Sequence, residues 1–147
     1  MEVRRIEKTD YAGIAAVFYV RVQAMTVEEC GFPIKYEIDE KEPAEYIVAY
    51  EGEIPIATCR IHLTEDGYAK IERVVTLKKY RNQGVGRAII TEAEKWIKEK
   101  GIDKVVITSR DTAVGFYEKL GYLADYDKIK NKPESVFKIV YTEKKLA

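Results

Sequence analysis

The chain predicts a mixed α/β fold in which helices flank a central, twisted, mostly antiparallel sheet of six to seven strands. Three observations lead there. Short β-branched and aromatic runs alternate with glycine-bearing turns through the middle of the sequence. Helix-periodic stretches precede and follow that block, and a late strand, helix, strand unit calls for a parallel crossover. The length of 147 residues, 46% of them apolar, suits one domain over residues 1–147 with its own core.

Val3 to Glu7 reads as the first strand, and Asp10 can cap a helix whose Tyr11, Ile14, Ala15, Phe18 and Val22 recur at helical spacing. Thr26 and Glu29 have capping-box spacing for a second short helix that Gly31 and Pro33 would end, and residues 34 to 45 read as a connection. "YIVAY", "IPIATCRIHL" and "YAKIERVVTL" then form a three-strand meander turned at Gly52 and Gly67. Val85, Ala88, Ile89, Ala93, Trp96 and Ile97 mark one face of a long helix, with Glu94/Lys98 and Lys95/Glu99 four apart outside and Gly101 after the last turn. "KVVIT" at 104–108 pairs parallel to the preceding strand. A helix from about Thr112 to Leu120 ends at Gly121, and "YLADYDKI" and "VFKIVYTE" close the sheet around a loop with Asn131 and Pro133.

Lys plus Arg (25) equal Asp plus Glu (25), so the broad positive field of a nucleic-acid or anionic-membrane binder is absent. The N-terminus has no signal-peptide core and no apolar stretch is long enough to span a bilayer, which places the protein in the cytoplasm. Cys30 and Cys59 form no CxxC pair and, with the single His62, supply no zinc pattern; both are expected to be reduced and structural, with no metal bound.

The stretch "YRNQGVGRAI" sets two glycines between a strand that stops at Leu77 and a helix that starts near Gly84. Unpartnered N–H groups at the helix start and the positive end of its dipole make an anion site there. Lys78, Lys79, Arg81 and Arg87 surround it with no acidic residue from 78 to 87, which suits a phosphate-bearing ligand. The Walker spacing is absent, and Ile89 stands where a dinucleotide loop has its third glycine. The competing reading is a tight turn with solvated basic residues.

Arg81-Asn82-Gln83-Gly84-Val85-Gly86, the long helix, a strand and Ala113-Val-Gly-Phe116-Tyr117-Glu-Lys-Leu-Gly-Tyr122 together resemble the GNAT superfamily of acetyl-coenzyme A dependent N-acetyltransferases. The resemblance covers residues 71 to 122. More loosely, "RVQAMTVEECGFPIKYEIDE" is similar to the first-helix stretch of a subgroup of small prokaryotic members. The resemblance implies that backbone amides from Gln83 to Arg87 hold the coenzyme A pyrophosphate. It also implies that Val74, Val75, Thr76 and Leu77 offer an exposed strand edge to the pantetheine arm, with Arg81, Asn82, Ala113, Phe116 and Tyr117 lining the same site. Arg110 stands where many members carry Asn; whether it replaces that hydrogen bond, meets a phosphate or points outward is open.

Family chemistry implies direct acyl transfer to an amine, so neither cysteine is a nucleophile. Tyr117 matches the tyrosine that stabilises the leaving thiolate, by hydrogen bond rather than full proton transfer, since a phenol near ~10 cannot readily protonate a thiolate near ~8.5. It also reads as an aromatic core residue beside Phe116. Glu72 and Glu28 are candidate bases for the amine, each also readable as a surface carboxylate, while His62, alternating with Arg60 and Thr58, reads as a polar-face residue. Residues 28 to 45 carry five net negative charges from Glu28, Glu29, Glu37, Asp39, Glu40, Glu42 and Glu45 against Lys35 and Lys41, which suits a cationic amine, small-molecule or peptide. A homodimer is compatible with this reading. The alternative is a coenzyme A sensor without turnover.

Overall fold

The computed structural model describes residues 1–29, 31–38, 40–131 and 138–147. Cys30, Asp39 and Pro133, named above, lie outside the described residues. Seven strands form one sheet: β1 (Glu2–Ile6), β2 (Glu45–Glu51), β3 (Ile54–Leu63), β4 (Ala69–Thr76), β5 (Lys104–Arg110), β6 (Leu123–Asn131) and β7 (Lys138–Lys145). Their order is β1-β2-β3-β4-β5-β7-β6, with β4 to β5 the single parallel pairing. The mixed, mostly antiparallel sheet predicted from the sequence is therefore the one observed. Gly52 and Gly67 turn the meander at φ 61° and 83°, in the left-handed region where glycine has no steric cost.

"YIVAY" in β2 is buried on both sides because helices cover both faces of the sheet. Ile47 and Ala49 join Ile89, Ile90, Ala93 and Ile97 of the long helix α3 (Val85–Glu99), whereas Tyr46, Val48 and Tyr50 join Ala16 and Val17 of α1 (Tyr11–Val22) on the opposite face. Arg5 ties β1 to α3 through Glu99 at 2.6 Å and Glu92 at 3.3 Å.

α1 buries Gly13, Ala16, Val17, Val20 and Arg21, a different face from the one its spacing suggested; Tyr11 is largely exposed. Because α1 is apolar nearly all round, periodicity alone could not fix its rotation, and packing on β2 and β3 decides it. Thr26 caps nothing. The first helix continues as a π-helical turn over Gln23–Glu29, so Thr26 lies inside it and its hydroxyl donates to Phe32 O at 2.7 Å.

Part of the expected connection is a one-turn helix, α2 (Ile34–Glu37), which begins after Pro33 as fixed φ favours. The late helix is shorter than expected: a 3₁₀ turn (Asp111–Ala113) precedes α4 (Val114–Lys119). Asn131 ends β6 rather than lying in a loop. Glu94 pairs with Lys144 at 3.1 Å and accepts from Tyr122 Oη at 2.7 Å instead of meeting Lys98, because the closing strand brings a cation over α3.

Gly13 sits where α1 crosses β1. A Cβ there would lie 2.6 Å from both Ile6 Cδ1 and Ile6 Cγ2 and 2.8 Å from Asp10 Oδ2, the oxygen pair that caps the helix. Alanine normally stabilises a helix interior over glycine by roughly 0.5–1 kcal/mol. Here the sign reverses: Gly13→Ala should destabilise by about 1–3 kcal/mol through overpacking, read as a lower denaturation midpoint. A raised midpoint would show that β1 yields without cost.

Candidate active site

β4 and β5 pair only at Ala69↔Val105 and Lys70↔Val106, then separate. The cause lies on the other side of β4. Thr58 faces Val75 while Arg60 faces Glu72, so β4 carries one extra residue, and Arg73 in that bulge has φ 53°. A non-glycine residue in the left-handed region costs on the order of 1 kcal/mol, held here by the surrounding sheet.

The separation opens a cleft of about 670 Å³ between the strands. Its walls come from Glu72 to Thr76 on β4, Ile107 to Arg110 on β5, the start of α3 and the start of α4. Leu77 N–H donates to Ile56 O at 2.9 Å, so Leu77 faces β3 and is buried, and the alternation of an antiparallel ladder turns Val75 to β3 as well. Thr76 faces the cleft. Its carbonyl accepts from Arg81 Nε at 3.1 Å. The free edge is therefore shorter than Val74 to Leu77: Thr76 and the bulged Val74 carry it, and Leu77 does not line the cleft.

At the far end, Asn82 (φ 61°) and Gly84 (φ 79°) turn the backbone into α3, whose N-terminus has no side-chain cap. The first-turn amides of Val85, Gly86 and Arg87 are left for an outside acceptor, since Ala88 is the first to bond back, to Gly84 O at 3.1 Å. Nothing lies within 4 Å of a Cβ built on Gly84, whereas one on Gly86 would sit 3.1 Å from Phe116 Cζ. These features fit an extended ligand ending in phosphate. Arg87 lines the cleft, but Lys78 and Lys79 sit on a 3₁₀ turn outside it, and the Gln83 side chain donates back to Lys79 O at 3.0 Å. Arg81 is engaged internally, by Thr76 O and by Glu29 at 2.6 Å.

Tyr117 lines the cleft from α4 at 7% exposure, edge to face with Phe116 at 5.0 Å and Tyr122 at 6.0 Å. Burial pushes its hydroxyl well above the ordinary phenol range, the nearby Cys59 adds to this, and the charge of Arg110 works against it. Tyr117 is thus both core aromatic and cleft wall. Arg110 and Ala113 line the cleft beside it. Cys59 is fully buried on β3 and its thiol is pushed up to about 12 by burial, which removes it from nucleophilic chemistry.

Glu72 lines the opposite end. Burial pushes its carboxyl up, but the Arg60 hydrogen bond at 2.8 Å, the Arg60 charge and His62 at 3.1 Å outweigh this and hold it below the usual range. Glu28 stands outside the cleft lining, where it accepts from Lys78 N–H at 2.9 Å. His62 is largely exposed, while Thr58, four residues back, is buried and donates to Ile47 O at 2.7 Å, so the three alternating residues do not share one wet face.

Sequence reasoning missed Arg21, Glu37, Arg60 and Arg73 as site residues. Arg21, 1% exposed, donates to Glu40 at 2.6 Å; Arg60 donates to Glu40 at 2.8 Å; Glu37, 4% exposed, lies 3.8 Å from Arg21 and 3.5 Å from Arg73. With Glu29 on Arg81 and Glu45 on Lys100 at 3.0 Å, cations from distant elements neutralise the acidic segment. A charged residue within an apolar helix, Arg21, was the one available signal.

The Acetyltransferase (GNAT) family model matches residues 6–122. YjcF of Bacillus subtilis, named an uncharacterized N-acetyltransferase, is 41% identical over 106 residues, covering 71% of this chain and 74% of that one. A crystal structure from Lactobacillus plantarum, provisionally named an N-acetyltransferase, is 33% identical with a TM-score of 0.84 and full coverage (100%) of both chains. A Bacillus anthracis protein provisionally named a streptothricin acetyltransferase, solved with acetyl coenzyme A, shares the fold at 22% identity and a TM-score of 0.63, covering 78% of this chain and 69% of that one. Family match, close relatives and a cleft opened by the parted strands agree: the chain belongs to the GNAT family of acetyltransferases and is an N-acetyltransferase.

Proposed function

We propose that the cleft binds acetyl-coenzyme A, the acyl donor of this N-acetyltransferase, with its pyrophosphate on the amides of Val85 to Arg87 and its pantetheine arm along Val74 and Thr76. One observation carries this reading: the uncapped start of α3 and the unpaired edge of β4 face the same cleft. A primary amine attacks the thioester carbonyl carbon from the Glu72 end, the carbon–sulfur bond breaks, and the thiolate departs beside Tyr117. A β4 amide aimed at the carbonyl oxygen stabilises its developing charge by on the order of ~3 kcal/mol. Glu72, held ionised and therefore a weak base, anchors the incoming ammonium, whose proton leaves to solvent before the free amine attacks. Glu28, spent on the Lys78 amide, holds the end of β4 in place.

Calorimetry and thermal shift with acetyl-coenzyme A test the reading. Binding heat and a raised melting temperature are expected, because a ligand of the native state alone stabilises it; neither at millimolar ligand would remove the assignment. Gly84→Val should weaken this binding markedly, since a β-branched residue at φ 79° distorts the turn that presents the amides of Val85 to Arg87. Unchanged affinity would reduce the loop to a turn. Gly86→Val tests less cleanly because it also displaces Phe116.

Tyr117→Phe should leave coenzyme affinity nearly unchanged and lower kcat by roughly 10²–10⁴-fold, since the lost hydrogen bond matters mainly in the transition state. Full turnover, measured where chemistry limits the rate, would exclude Tyr117 from the reaction.

Because the folded hydroxyl is raised above the ordinary phenol value, its proton stays on through the alkaline range. Turnover should therefore show no loss from Tyr117 ionisation up to pH ~10. An alkaline fall below that pH that disappears in the Phe variant would contradict the burial argument.

A further inference from the structure

Arg21 is the most deeply buried charged residue of the site, and among the described residues only one of its nitrogens is hydrogen-bonded. Nη1 donates to Glu40, while Nε and Nη2, shielded from solvent, have no hydrogen-bond partner among the described residues, Nε facing Glu37 at 3.8 Å. Those two form one edge of the guanidinium, a pair of parallel donors spaced to match the two oxygens of a carboxylate. Buried donors are otherwise nearly always paired. Arg21 lines the acetyl-transfer cleft, and so does its neighbour Glu37. Glu37 accepts no hydrogen bond among the described residues; its only contacts are the ion pairs to Arg21 at 3.8 Å and Arg73 at 3.5 Å. A cationic edge and a carboxylate, each unfinished, thus stand side by side at the acceptor end of the cleft.

Local charge points the same way. At this end of the cleft the lining residues Arg21 and Arg73 balance Glu37 and Glu72, so the pocket does not favour a purely cationic or anionic occupant. We infer that the acceptor is a zwitterion of amino-acid type, its carboxylate on the Nε/Nη2 edge of Arg21 and its amine against Glu37. This rests on the acetyl-transfer reading above. Entry requires Glu37 to turn aside from Arg21, exchanging the 3.8 Å ion pair for the ligand's amine while keeping the one to Arg73 at 3.5 Å.

Matched ligands test it: α-amino acids, the corresponding amino amides, and carboxylates lacking the amine, each titrated calorimetrically into enzyme saturated with coenzyme A, then assayed with acetyl-coenzyme A. The acids should bind, and react in kcat/KM, roughly ten- to a hundredfold better than their amides, the range expected for a charge-assisted pair. Glu37→Gln should weaken the amino acids yet strengthen the amine-free carboxylates, because it removes both the amine's partner and a repelling charge. Arg21→Met with Glu40→Gln, which leaves no buried charge unpaired, should abolish the preference for acids. Equal affinity for acids and amides in the native enzyme overturns the inference, as does an unchanged response of both ligand classes to Glu37→Gln. Absence of acetyl transfer to any amine, with the binding preference intact, would instead count against the catalytic reading alone.

Discussion

One extra residue in β4 governs the site. The bulge at Arg73 bends the strand away from β5 after two paired residues, and the cleft, the free edge at Thr76 and the access to the start of α3 all follow. A strand with regular pairing on both sides would have no edge to offer. The bulge is stable because long antiparallel ladders, β2 with β3 on one side and β5 with β7 on the other, hold it, so a strained residue between them has no cheaper arrangement.

Helices on opposite faces then divide the labour. α3 covers one face with a large apolar stripe and points its unsatisfied N-terminus into the cleft. α1 covers the other and, through Arg21, delivers a buried charge to the end of the cleft lined by Glu37 and Glu72. Glu29, at the end of the π-helical turn, reaches Arg81 beyond β4, so the loop before α3 and the first helix are tied by an ion pair. This exposed pair is worth little as stability. Its effect is to hold Arg81 on the Thr76 carbonyl, which sets the shape of the cleft mouth.

The charge network of Arg21, Glu40, Arg60 and Glu72 has a different character. Its members are partly or wholly buried, so each carboxylate stays ionised only because a guanidinium faces it. That condition makes Glu72 a weak base and a good anchor for a cation. Within the acidic run of residues 28 to 45, Glu37, Glu40 and Glu45 are each paired, by cations from α1, β3, β4 and Lys100, elements far apart in sequence.

The sequence by itself determined the strand meander, the long helix and the glycine turn that leads into it, because alternation, 3.6-residue spacing and left-handed glycines are local properties. Tyr117, Gly84, Gly86 and Arg110 were legible as cleft residues through a spaced motif. Tertiary structure alone decided which face α1 buries, which carboxylates are spent on structure, and that Leu77 faces β3. It alone placed Arg21, Glu37 and Arg73 around one pocket, with Arg60 behind them on Glu40 and Glu72. The physical reason is that charge pairing and strand register depend on residues 10 to 50 positions apart. No local pattern encodes that Glu28 meets the Lys78 amide or that a bulge in β4 releases its edge; those facts exist only once the sheet is assembled.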